Sequence, residues 1–156
     1  QPTHVYLLEV LKTLGMMEEY EKWRHRLIDL VESVNKKYPK SLNFPLWDFS
    51  GYNTVTMDEV SPAEELKRPM DWYYDIGHFK KSLGDLIQDR IFNYSDAERV
   101  VPKDFGIQIN SKNIDLYQRA QRNKQMKYML VHQEEIKELA GRVNVIKKKI
   151  RDFDCS

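Results

Sequence analysis

Three stretches of this chain place apolar residues three and four positions apart, the period of a helix with one buried face. Tyr20, Trp23, Leu27, Leu30, Val31, Val34 and Tyr38 form the first, and Phe79, Leu83, Leu86, Ile87 and Ile91 the second. Ile136, Leu139, Val143, Ile146, Ile150 and Phe153 form the third, a heptad-like seam that extends backwards through His132 and Met129. Shorter helices are predicted over Val5 to Leu14, stopped at Gly15, and over about Asn113 to Met129. Pro39 ends the first long helix. The apolar run Leu42 to Phe49, bounded by Asn43 and Gly51, suits a buried strand, and helix followed by strand is half of an α/β unit. Phe105, Ile107 and Ile109 suggest a second short extended segment.

The 156 residues suffice for one sizeable core with an appendage. The predicted division is 1–93, an α/β part, and 94–156, an irregular linker with a helical extension. Gln1 opens the chain, and Val5 to Leu14 lacks the basic flank and cleavage site of a signal peptide, so it reads as a fragment or a processed chain. No apolar run approaches the roughly 20 residues that a bilayer requires. Cys155 is the only cysteine, which excludes an intrachain disulfide and a cysteine zinc site. No pair among the four histidines has zinc-ligand spacing, so neither metal nor cofactor is expected. His4 is read as a terminal polar residue, His25 as exposed on the second helix, and His132 as part of the seam. Trp23 and Trp47 are read as core. From Lys112 to Arg151 there are 11 Lys and Arg against 4 Asp and Glu, so a segment of +7 sits on a remainder of −6. That asymmetry fits a solvated helix face, an anionic partner, or attraction between the two parts. Nucleic acid fits poorly, because no aromatic residues interleave Lys147, Lys148 and Lys149. A partner helix over 131–153, including self-association, fits better.

Chemistry concentrates at Asp75 and His78, a carboxylate and an imidazole three residues apart after the aromatic run Trp72-Tyr73-Tyr74. Such a pair holds a histidine in one tautomer, as general-base catalysis requires. Ser50 to Met70, with two prolines and no sustained period, is predicted to be a surface loop leading to it, with the pair feeding the helix that follows. The competing reading makes Asp75 a helix cap and His78 a surface histidine.

The run Trp72-Tyr73-Tyr74-Asp75-Ile76-Gly77-His78-Phe79, with Leu83-Gly84-Asp85 after it, resembles the last conserved block of the SGNH (GDSL-type) hydrolases and the related polysaccharide O-acetyl esterases and transferases. The likeness covers Met17 to Phe92 in layout and Asp75 to His78 in motif. It implies the C-terminal part of a flavodoxin-like α/β/α domain from a protein of the bacterial cell envelope, with His78 as general base and Asp75 orienting it in a Ser-His-Asp triad. It also implies an acylated carbohydrate as substrate, with Trp72, Tyr73 and Tyr74 lining a sugar cleft and Asn53, in Gly51-Tyr52-Asn53, as an oxyanion donor. Two departures stand out. The chain has no Gly-Asp-Ser block, and Asn53 lies only 22 residues before Asp75. Ser50 lacks a G-x-S-x-G setting, so a strand-end serine bonding its own turn is expected there. The implied serine then belongs to a missing N-terminal half or to a second chain. The alternative is a non-catalytic helical interaction or assembly module.

Overall fold

A computed structural model describes residues 1–39, 43–60 and 69–154, with the side chains of 151–154 outside that set. Among the described residues, five helices and two small antiparallel sheets make a mixed α/β fold that is mostly helical. Helix α1, Val5–Thr13, ends where Gly15 takes φ +76, a left-handed conformation that glycine adopts freely. Helix α2, Met17–Lys37, carries Glu18 and Glu19 in its first turn and Lys36 and Lys37 in its last, each opposing the helix dipole. Its apolar face is covered less than its period suggests. Ile28 is buried, but Leu30 and Tyr38 are exposed, and Trp23, predicted to be core, is 54% exposed and stacks on Tyr20.

The predicted strand over 42–49 contracts to β1, Trp47–Asp48, with Leu42 outside the described residues. Asn35 of α2 is the reason. Its side-chain oxygen accepts from the Phe44 N–H at 2.8 Å and its amide donates to the Phe44 carbonyl at 2.9 Å. Those groups are therefore unavailable to a ladder, and Pro45 has no N–H to offer. β1 pairs antiparallel with β4, Ile107–Gln108, matching the predicted extended segment. Between them in the chain, β2, Tyr73–Asp75, and β3, His78–Phe79, form a second antiparallel pair. Phe79 thus belongs to a strand and not to the helix it was assigned to; α3 runs Lys81–Phe92 and ends at Asn93, φ +51. Helices α4, Ile114–Val131, and α5, Gln133–Asp154, complete the chain.

Among the described residues, three clusters of buried side chains hold these elements, and each draws on both sides of residue 93. Phe49, Val55, Tyr73, Leu83 and Leu86 pack with Phe105. Val5, Leu8 and Tyr52 pack with Tyr128, and Ile28 packs with Ile109 and Ile114. The segments 1–93 and 94–156 therefore share their cores. The loop after β1 also departs from expectation, because Ser50, Gly51, Tyr52, Asn53, Val55 and Thr56 are buried. Buried backbone needs partners. Asn53 Oδ1 accepts from the Val55 and Thr56 N–H groups, the Tyr52 N–H donates to Gln121 Oε1 at 2.7 Å, and Thr56 Oγ1 bonds the Gly51 carbonyl.

His4, read as a terminal polar residue, is fully buried. Its Nδ1 accepts from the Tyr6 N–H at 3.2 Å, capping α1, so Nε2 carries the proton and donates to the Asp58 carbonyl at 2.8 Å. Burial lowers its pKa from the ordinary 6.5, outweighing the Asp58 hydrogen bond and charge that raise it. Because the unfolded chain then binds the proton more readily, this contribution to stability is present above pH 6.5 and is lost as pH falls below it. Urea midpoints measured between about pH 7 and pH 5 will fall with pH, and a His4→Gln variant will show a shallower fall.

Candidate active site

Asp58 places the hairpin that carries the dyad. Its carboxylate accepts from the Asp71 N–H at 3.1 Å and the Trp72 N–H at 2.7 Å, while its carbonyl holds His4. The Lys80 N–H closes the far side on the Trp72 carbonyl at 2.8 Å, and Lys80 Nζ bonds the Met70 carbonyl. Tyr73 anchors the base of the hairpin with 1% exposure, packed edge-on against His4.

At the tip, Asp75 Oδ1 accepts from the backbone N–H groups of Gly77 at 2.7 Å and His78 at 3.0 Å. This Asx-type turn reverses the chain within the motif, so Asp75 and His78 occupy facing strand ends and do not directly cap α3. His78 Nδ1 lies 2.9 Å from Oδ2 and 3.0 Å from Oδ1 of Asp75. A carboxylate only accepts, so the proton sits on Nδ1 and the Nε2 lone pair is left as the base. The Gly77 N–H, followed by the His78 ring, holds the Asp75 carboxyl below the usual aspartate pKa, so it stays ionised at neutral pH. The His78 side chain is 80% exposed and that of Asp75 59%.

The other residues proposed for substrate divide by burial. Tyr74, the residue before Asp75 in β2, is 73% exposed. Trp72 is half-buried and packs on the Phe49 and Leu83 cluster, and Tyr73 belongs to that cluster outright. Asn53 is 2% exposed and its amide nitrogen bonds the Ser50 carbonyl at 3.4 Å, so both ends of its side chain serve its own loop. Tyr73 and Asn53 offer no surface to a ligand in this fold.

Ser50 is buried too, in a polar cluster that the sequence reading missed. Its Oγ accepts from Arg24 Nη2 at 2.6 Å and donates to Asp48 Oδ1 at 2.6 Å, with the Tyr20 hydroxyl 3.1 Å away. Arg24 Cζ sits 4.4 Å above the Tyr20 ring. Its Nη2 is 3.0 Å from Asp48 Oδ2, an ion contact set off the hydrogen-bond direction, which leaves Oδ2 without a hydrogen bond. With no histidine in it, this cluster supports a structural role for Ser50. The signal was present in the four-residue steps from Tyr20 to Arg24 to Ile28, which put a charge on the buried face.

His25 lies 3.3 Å from Gln118 Oε1, and His132 stacks on Tyr128 and contacts Glu135. Among the described residues no three His, Cys, Asp or Glu side chains converge where a metal ion could bind, and no helix is long and apolar enough to cross a membrane. An open groove of about 610 Å³ between α2 and the segments 43–46 and 108–112 is lined by Ile28, Asn35, Phe44 and Ile109, and includes no residue of the dyad hairpin. Comparison of the chain with protein families, with curated proteins and with solved structures gives no match in any of the three.

Proposed function

We propose that Asp75 and His78 are the acid–base half of a Ser-His-Asp site in an SGNH-type acyl-ester hydrolase or O-acyltransferase. The nucleophilic serine would come from residues outside this chain, in a missing N-terminal half or a second chain. In this reading the chain is the C-terminal part of a flavodoxin-like domain, and the half-domain lacks acyl-transfer activity by itself. The observation that carries it is the dyad geometry: an imidazole with Nδ1 fixed by an ionised carboxylate and Nε2 turned to open solvent. A general base must be within hydrogen-bond reach of its proton donor, and exposure at the hairpin tip leaves room for a serine to approach. Tyr74, exposed and one residue before Asp75, is the aromatic side chain of the hairpin available for a sugar ring, in keeping with an acylated carbohydrate substrate.

In the reaction so assigned, His78 Nε2 takes the serine proton as Oγ attacks the ester carbonyl, then returns it to the leaving alcohol. Asp75 stabilises the imidazolium formed between those steps. The test is fluorophosphonate labelling, in which serine Oγ displaces fluoride from phosphorus. The serine-bearing parent protein should be labelled on one serine, labelling should slow sharply in its His78→Gln variant, and residues 1–156 alone should stay unlabelled. Equal labelling rates with and without His78 would remove the base role.

A further inference from the structure

The fifth helix outruns the body it packs on. At 1.5 Å per residue the 22 residues of α5 extend about 33 Å, whereas its main packing partner, the nine-residue α1, covers about 14 Å. The seam of α5 is covered at its start, where Ile136 joins the Val5, Leu8 and Tyr128 cluster, and as far as Val143, which is buried. The same spacing then continues into solvent. Ile146 and Ile150 are 58% and 57% exposed, and Phe153, next in the spacing, has its side chain outside the described residues. With Val143 and Ile150 as heptad positions a and Ile146 as d, Lys147 falls at e and Lys149 at g.

That arrangement discriminates among occupants. The apolar arc is a narrow two-position seam, which suits another helix; a helix lying in a membrane surface presents a broader apolar face. Two copies of this free end would bring like charges together. Antiparallel pairing opposes Lys147 to Lys147 and Lys149 to Lys149, and parallel pairing brings Arg142 at g toward Lys147 at e. A helix with carboxylates flanking its seam meets no such conflict. We propose that the free end of α5 beyond Val143, from Ile146 to Ile150, is the docking surface for an acidic amphipathic helix of another protein, which lays its apolar seam on Ile146 and Ile150 and its carboxylates beside Lys147 and Lys149. None of these residues belongs to the dyad hairpin, and the inference does not depend on the acyl-transfer reading.

The probe is a fluorescent three-heptad peptide with leucine at a and d and glutamate at e and g, compared with the same peptide bearing lysine at e and g. Anisotropy titrations with the purified chain should show the glutamate peptide binding about ten-fold or more tightly than the lysine peptide, and weakening with added salt. The double variant Lys147→Glu/Lys149→Glu should reverse the preference. These exposed substitutions should leave the circular dichroism spectrum unchanged, and Ile146→Asp should abolish binding of either peptide. No binding of the glutamate peptide, or equal binding of both, would overturn the proposal. So would a dimer by sedimentation equilibrium that Ile146→Asp dissociates, because a second copy would then be the occupant. Tighter binding to phosphatidylserine vesicles than to the glutamate peptide would transfer the surface to a membrane.

Discussion

On the acyl-transfer reading proposed above, replacing His78 by alanine will lower kcat of a serine-bearing parent protein on an acetyl ester by about 10⁴-fold, while leaving its unfolding midpoint unchanged. The two halves of that expectation have separate causes. His78 is 80% exposed and no hydrophobic cluster includes it, so its removal leaves no cavity and exposes no buried partner. Among the described residues its side chain bonds only Asp75, through Nδ1, and its backbone N–H also donates to Asp75 Oδ1. The backbone bond survives the substitution, so the turn persists. What disappears is the Nε2 base. Asp75→Asn is a finer probe, because the amide oxygen can still accept from Gly77 and His78 N–H while the charge that stabilises an imidazolium is gone. It should cost about 10²–10⁴-fold in kcat with little change in KM. Steady-state kinetics on the parent and both variants decide the matter. A His78→Ala enzyme within a few-fold of the parent would leave Asp75 and His78 as turn residues only.

Arg24→Met will destabilise the chain by about 3–5 kcal/mol, the usual cost of removing one partner from a buried ion pair. Natural domains are stable by only about 5–15 kcal/mol, so such a loss approaches unfolding. Arg24 and Asp48 have side chains 6% and 9% exposed, and the guanidinium also donates to Ser50 Oγ and the Tyr20 hydroxyl. Methionine fills much of the volume but leaves the Asp48 carboxylate buried against Ser50 without a cation. Lysine is no remedy, since a point charge on a flexible stem cannot serve these acceptors and sit over the Tyr20 ring together. Arg24→Met/Asp48→Leu should recover most of the loss, because an apolar replacement of the whole pair avoids the stranded charge. Urea denaturation of the two variants measures this. Equal destabilisation in both would place the cost in packing rather than in the buried carboxylate.

These variants mark the two kinds of legibility in the chain. Asp75 and His78 were readable because their interaction is local: three residues, a glycine and an aspartate oxygen suffice to bring ring and carboxylate together. The surroundings were not readable in the same way. Trp72, Tyr73 and Tyr74 have equal claim to a cleft by composition, yet strand alternation and the packing of β2 turn Tyr73 into the core and Tyr74 to solvent. The Ser50 to Thr56 segment has loop chemistry throughout and is nevertheless interior, because Asn53, Thr56 and Gln121 satisfy its backbone there.

Helix placement followed from apolar spacing, glycine and proline, since those act within a few residues of backbone and do not depend on what lies across the fold. All five helices, and the extended character of Ile107, were set at that level. Burial was set elsewhere. Whether Trp23 is covered, whether His4 titrates in water or in a core, and where the α5 seam runs out of partner depend on segments that meet from distant parts of the chain. α1 meets α5, β1 meets β4, and Arg24 meets Ser50. A periodic face states that something should cover it; only the packed structure shows Ile136 joined to the α1 cluster, Val143 buried, and Ile146 and Ile150 left in solvent.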